Sequence, residues 1–453
     1  MAAATHKELT TGKPLPLILV FSLPVLLGNI LQQAYSLVDA FIVGHFLGLN
    51  DLASVGASSS VIFLIIGFCN GSSGGFAIPI AQRFGARDYS QMRKLVVNSY
   101  YVTAILSVSL AIVTSLMCGT ILRWMKTPDV IFDGAYKYLL VTFIGIPFTF
   151  FYNLLSGIIR ALGDSRTPFW FLVFSTVLNI VLDVVFILGF RLGVMGASIA
   201  TLFAQAISTF LCVLYIKKKV DILQASKEEK KMDGKCVGSL FSIGVPMGLQ
   251  FSITGIGSIM LQSSNNALGT ICCAAFTTGM RLKMFFMTAL ESLGIAMATY
   301  CGQNYGAGRC DRILQGIKSA GIIALTYTAF VAVILWTQAE NLSALFVDRS
   351  QVEVIRKSAQ FLHISVSFYP VLSLLVILRY SIQGVGYTKL SMLSGVSEMI
   401  ARILVSLLLV PAFGYTAVCF GDPTAWIFAD SFLVPAFIYV FRQISRKPAP
   451  TYD

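Results

Sequence analysis

The chain has 453 residues, 56% of them hydrophobic and 12% charged, with a net charge of +12. Soluble domains carry about 25% charged residues, so the composition excludes an ordinary soluble fold and points to an all-α polytopic membrane protein. A β-barrel is excluded too, because its strands alternate apolar and polar residues in segments of about 10, whereas these apolar runs are unbroken.

Taken in order, the apolar runs predict twelve membrane-spanning helices: 15–44, 54–80, 95–119, 134–159, 167–190, 193–216, 239–267, 274–301, 315–338, 358–383, 389–413 and 415–441. No cleavable signal peptide is evident, and the first run reads as a retained span. Lys and Arg gather in alternate loops, as at Arg83, Arg87, Arg93 and Lys94, which places both termini in the cytoplasm. The excess positive charge therefore sets topology, and no nucleic acid partner is expected. The longest hydrophilic stretch, 217–236, falls near the middle. It divides the chain into an N-terminal six-helix lobe (1–216), a cytoplasmic linker (217–238) and a C-terminal six-helix lobe (239–453).

The lobes repeat. QRFGARD at 82–88 recurs as QNYGAGR at 303–309, Leu47-Gly48 as Leu268-Gly269, and Pro147 and Gly163 as Pro370 and Gly386. Six spans per copy is an even number, so both copies share one orientation and form two parallel bundles around a central cleft. Gly85 and Gly306 are expected to supply positive φ in the two matching loops.

The first span carries Asp39. A carboxylate inside a span costs roughly 3 kcal/mol unless it is paired or protonated, and its default reading is functional. Asn179 and Asp183 lie four residues apart on one face of the fifth span. Asp39 and Asp183 fall at similar depth, roughly 10 Å inside the outer boundary. Like charges there cannot both ionise freely, so the pair is suited to a proton or a small cation. Asn179 and Thr201 add neutral oxygens, a set that fits a hard cation rather than zinc. Nine cysteines without C-x-x-C spacing and three dispersed histidines give no disulfide framework and no metal site beyond Na⁺ at these acids.

With twelve spans, two parallel halves, the Q-x-x-G-A loop after spans two and eight, Pro24 and Asp39 on the first span, and Asn179-x-x-x-Asp183, the chain resembles multidrug and toxic compound extrusion (MATE) transporters. The resemblance is to the branch that includes the DNA-damage-inducible and archaeal members. It implies that Asp39, Asn179, Asp183 and Thr201 bind a coupling H⁺ or Na⁺, and that Pro24 marks a bend. It implies a monomer in a bacterial cytoplasmic membrane, with no cofactor and no enzymatic activity, exporting organic cationic amphipathic compounds by antiport. A related branch has acids on spans seven and ten, and this sequence has Gln250, Thr254, His363 and Tyr369 there instead. The alternative within the superfamily is a lipid-linked sugar or lipid flippase, which twelve spans and cavity acids disfavour.

Other polar residues in the spans are candidates for lesser roles. Gln33, Ser36, Tyr152 and Glu291 could line a substrate cleft. Glu398 and Arg402, at i and i+4, are placed for a structural or gating ion pair. His363 reads as a packed histidine. Asp422-Pro423 is expected to interrupt the last span. The absence of a lysine-bearing phosphate loop gives no sign of ATP drive.

Overall fold

A computed structural model describes residues 8–446. Among these residues all regular structure is helical. The first half runs through α1 (Pro14–Phe46), α2 (Leu49–Gly85), α3 (Tyr89–Trp124), α4 (Asp129–Ile144), α5 (Ile146–Ala161), α6 (Arg166–Val184) and α7 (Val194–Lys219). The second half runs through α8 (Gly234–Asn266), α9 (Thr270–Gly306), α10 (Cys310–Ser343), α11 (Val352–Ser367), α12 (Tyr369–Val385), α13 (Thr388–Leu404), the short α14 (Val410–Phe413) and α15 (Tyr415–Cys419), and α16 (Gly421–Arg446). Ten of these segments are long and apolar enough to cross a membrane, and two bent pairs, α4 with α5 and α11 with α12, bring the spans to twelve. The chain is a multi-pass membrane protein. Its apolar outward positions, such as Leu116, Val333 and Leu408, are exposed because lipid is their solvent.

The repeat is visible element by element. The second helix of each half has 37 residues and follows a glycine at positive φ, Gly48 and Gly269. The bent pairs turn by 46° and 53°. Pro147 and Pro370 sit in the first turn after each bend, where a missing N–H costs nothing and the preceding helix must stop. A π-helical turn extends α6 at Val185–Gly189 and α13 at Val405–Leu409.

Packing separates two compact units that do not coincide with contiguous halves of the sequence. The first takes in Leu27–Gly248, and the second Leu9–Leu26 with the described part of Leu249–Asp453. The start of α8 thus packs with α2. A Cβ on Gly244 would stand 2.2 Å from Phe76 Cε1, so only glycine permits that approach. The segment from Leu9 to Gly12 is fastened within the second unit. Leu9 N–H donates to Gln303 Oε1 at 2.8 Å, and Arg312 donates to the Gly12 and Leu9 carbonyls.

Two local expectations are corrected. Positive φ in the matching loops belongs to Arg87 and Gly308, while Gly85 and Gly306 remain the last helical residues of α2 and α9. The last span breaks at Phe420, and Asp422-Pro423 opens the first turn of α16, the position proline tolerates best.

The 217–236 stretch is held against α3. Glu229 is buried, accepts from Arg93 Nε and Nη2 at 2.8 Å each and from Ser90 Oγ at 2.8 Å, and also accepts from the Ser226 N–H at 2.9 Å. The Arg93 guanidinium is the largest of the influences that hold the Glu229 carboxyl down, to about 2.

Candidate functional site

The site is built on the last two turns of α1, the end of α6 and the first turns of α7, all in the first unit. α1 and α6 run long enough into the span that Asp39, seven residues before the end of α1, reaches the level of Asp183, which precedes the π turn. The carboxyl groups of Asp39 and Asp183 meet within hydrogen-bonding reach of each other. Asp183 is fully buried and Asp39 half-buried, and each retains one buried oxygen without a partner.

Neutral groups complete the site. The Tyr35 hydroxyl lies 2.9 Å from Thr201 Oγ1. With its amide oriented to suit its neighbours, Asn179 donates to Asp183 Oδ2 at 3.0 Å and accepts from the Thr201 N–H at 3.0 Å. Tyr138, on α4, also faces both carboxyls. Among the described residues, neither aspartate has an ion pair with Lys, Arg or His. A small cavity lined by Gln32, Tyr35, Thr176, Asn179, Thr201 and Gln205 adjoins the pair. Two carboxyls in mutual contact share a proton or ligate a cation, and the surrounding oxygens suit either.

The structure therefore brings together Asp39, Asn179, Asp183 and Thr201. Tyr35 and Tyr138 join them. Tyr35 was legible as the residue one turn before Asp39 on the same face, whereas nothing in the sequence singles out Tyr138. Pro24 lies inside α1, which is a single helix from Pro14 to Phe46. The proline deprives the Val20 carbonyl of its helical donor.

The remaining candidates scatter. Gln33 is half-buried, and Ser36 is exposed and donates to the Gln32 carbonyl of its own helix at 3.1 Å. Tyr152 is packed in the core of the first unit, which removes it from any open surface. Glu291 is exposed on α9 in the second unit. His363 stacks on Trp336 with 4.5 Å between ring centroids and bonds to the Leu335 carbonyl, as a packed histidine does.

Glu398 and Arg402 form the expected ion pair at 3.2 Å, but as the middle of a longer chain. Glu398 also pairs with Arg379, and Arg402 Nε donates to Asp422 Oδ1 at 2.9 Å. Asp422 in turn pairs with Lys283. Sequence reading missed Arg379, Lys283 and Asp422 in this role because their partners are distant along the chain.

The same division into two similar halves appears when the chain is compared with known proteins. The MatE family pattern matches residues 24–185 and 243–408, one block in each half. The chain is 27% identical to the probable multidrug resistance protein YpnP of Bacillus subtilis (strain 168), over 95% of this chain and 96% of that one. It is 30% identical to the probable multidrug resistance protein YoeA of the same strain, over 73% of each. The crystal structure of a MATE protein in complex with MaL6 superposes with a TM-score of 0.91, covering 99% of this chain and 100% of that one at 22% identity, a likeness of fold. Because the matched blocks take in most of both halves, the chain belongs to the MATE family.

Proposed function

We propose that this protein is a cation-coupled multidrug antiporter, driven by H⁺ or Na⁺ and exporting organic cationic amphipathic compounds by alternating access. The observation that carries the reading is the contact between Asp39 and Asp183, without a basic partner, inside a membrane-spanning bundle. A carboxyl pair of this kind must take its compensating charge from outside the protein. Occupancy drives transport only if it favours one conformation over the other. Asn179, Thr201 and Tyr35 hold the acids in place and supply neutral oxygens, so the site distinguishes loaded from empty chiefly by charge.

The names of the relatives, both probable multidrug resistance proteins, support the substrate class. The placement of Lys and Arg in alternate loops supports a bacterial cytoplasmic membrane with both termini inside. We assign the chain no cofactor and treat it as a monomer that exchanges one small molecule for the coupling ion. The division into lobes at 1–216 and 239–453 is kept as a description of the sequence repeat.

The test is efflux in a drug-sensitive bacterium lacking its own pumps, with Asp39→Asn and Asp183→Asn at matched protein levels. Loss of resistance in both variants is expected. Full resistance in both sinks the site, and efflux from vesicles that ignores imposed pH and Na⁺ gradients sinks the antiport.

A further inference from the structure

The second unit holds buried charge that plays no part in the Asp39–Asp183 site. Lys283, Asp422, Arg402, Glu398 and Arg379 form an unbroken series of ion pairs, in that order. They come from α9, α16, α13 and α12, and all but Arg379 are more than nine-tenths buried. Three are cations and two are anions, so the series carries a net charge of +1.

Two further carboxyl groups lie in its field. Glu291, exposed on α9, faces Arg379 and Lys283. Asp430, two turns beyond Asp422 on α16, faces Arg379 and Glu398. Asp430 is 8% exposed, and neither of its oxygens has a hydrogen-bond partner.

α12 presents Arg379, and its Tyr369 packs against Trp426. α13 presents Glu398 and Arg402, both already engaged. On α11, His363 is turned to the Leu335 carbonyl and to Trp336. On α15, Tyr415 donates to the Lys357 carbonyl, and Cys419 lies against that tyrosine. The π turn between α13 and α14 contributes only apolar side chains and Ser406.

One negative charge neutralises the series, and two candidates are available to supply it. Glu291 faces two cations of the series, Arg379 and Lys283, and neither of its anions, so it is the better placed to carry that charge. Asp430 would be a bare carboxylate within a span, beside the like charge of Glu398, which is the costly arrangement. We propose that Asp430 is a proton-binding site of the second unit, separate from the Asp39–Asp183 pair and balanced through the ion-pair series by Glu291. When the proton leaves, Arg379 is the cation that can turn from Glu398 to Asp430, so proton loss re-pairs the series. The site stands whether or not the first unit's acids drive transport.

Infrared difference spectroscopy on the full chain in lipid nanodiscs tests this. The background is Asp39→Asn with Asp183→Asn, so that the first unit contributes no carboxyl signal. The expected result is a carbonyl stretch from a buried protonated carboxyl at neutral pH that disappears on alkaline titration and is absent from Asp430→Asn. Asp430→Glu should retain it at an altered frequency. Glu291→Gln should move the loss of the band by about one pH unit or more, toward acid, because the series then draws its negative charge from Asp430. A band that is missing throughout about pH 5 to 9, or that persists in Asp430→Asn, overturns the proposal. Loss of the band on adding Na⁺ at constant pH also overturns it, since that result describes a cation site. Should Asp430→Asn fail to fold, ¹³C-aspartate labelling of the background protein decides instead: the band must shift with the label, and an unshifted band refutes the assignment.

Discussion

Asp422 is the point at which the buried ion-pair series is most vulnerable. Its carboxylate receives Lys283 on one oxygen and Arg402 Nε at 2.9 Å on the other. Asp422→Asn keeps the size of the side chain and removes its charge. Arg402 retains Glu398 at 3.2 Å, so its loss is partial. Lys283 keeps the face of the Phe361 ring, 5.6 Å from its ammonium, a contact worth about 1 kcal/mol, and the field of Glu291. Breaking a buried pair from one side costs about 3–5 kcal/mol. With the ring contact and the Arg402–Glu398 pair surviving, a loss of about 3 kcal/mol is expected for Asp422→Asn. The cost arises from an orphaned ammonium, so removing that ammonium should restore most of it. Lys283→Met combined with Asp422→Asn should show a coupling energy of about 2 kcal/mol. Trp426, buried one turn after Asp422 and against Tyr369, provides a local fluorescence signal for detergent-induced unfolding. A single variant within about 1 kcal/mol of wild type, or a double variant whose effects simply add, would refute this account of the series.

Glu229 gives a prediction at the membrane surface. Its carboxyl is held down to about 2, below its ordinary value of 4.5, so its contribution is present above the ordinary value and lost as pH falls toward 2. Allowing for partial hydration of the pair, that contribution is about 2 kcal/mol. At neutral pH, Glu229→Gln should therefore speed tryptic cutting at Lys227, Lys230 and Lys231 by about 30-fold, and an unchanged rate would show that the segment is not held by this pair. Gly384→Ala should lower the thermal midpoint, because its Cβ would lie 2.4 Å from the Ala298 carbonyl oxygen where α9 meets α12, an overlap worth about 2 kcal/mol. Gly321→Ala, with open space around it, is the control and should be neutral or slightly stabilising; equal effects in the two variants would count against close packing at Gly384.

The spans were legible because a bilayer demands about 20 apolar residues in a row, a signal that needs no knowledge of partners. The acid pair was legible for a related reason: Asp39 and Asp183 are each expensive alone, and counting residues from the helix ends put them at one depth. Glu398 and Arg402 were legible because a helix brings i and i+4 together. Lys283 and Asp422 were not, since 139 residues separate them and only the packed bundle brings them into contact. Asp422 was further disguised by Pro423, which reads as a helix breaker although it fits the first turn of α16. Asp430 obeys the same cost rule that singles out Asp39, but has no partner on its own helix to draw attention to it.

The repeat gives the two buried charge clusters a common frame. The π turns at Val185–Gly189 and Val405–Leu409 lie 220 positions apart, and Gly193 and Gly414, each before the next helix, lie 221 apart. In that register Thr201 corresponds to Asp422, and the helix bearing Asn179 and Asp183 corresponds to the helix bearing Glu398 and Arg402. The same scaffold therefore gathers polar side chains at the same level in both halves, with opposite electrostatic solutions. In the second half Lys283 and Arg402 are built in beside the carboxylates, and a tethered cation cannot be exchanged with the solution. In the first half, among the described residues, Asp39 and Asp183 meet hydroxyls and an amide and form no ion pair with a basic side chain. Under the proposed antiport, this difference assigns ion exchange to the first half. Among the described residues of the second half, Asp430 is the buried acid that the fixed cations do not hydrogen-bond, and so the place at which exchange could persist there.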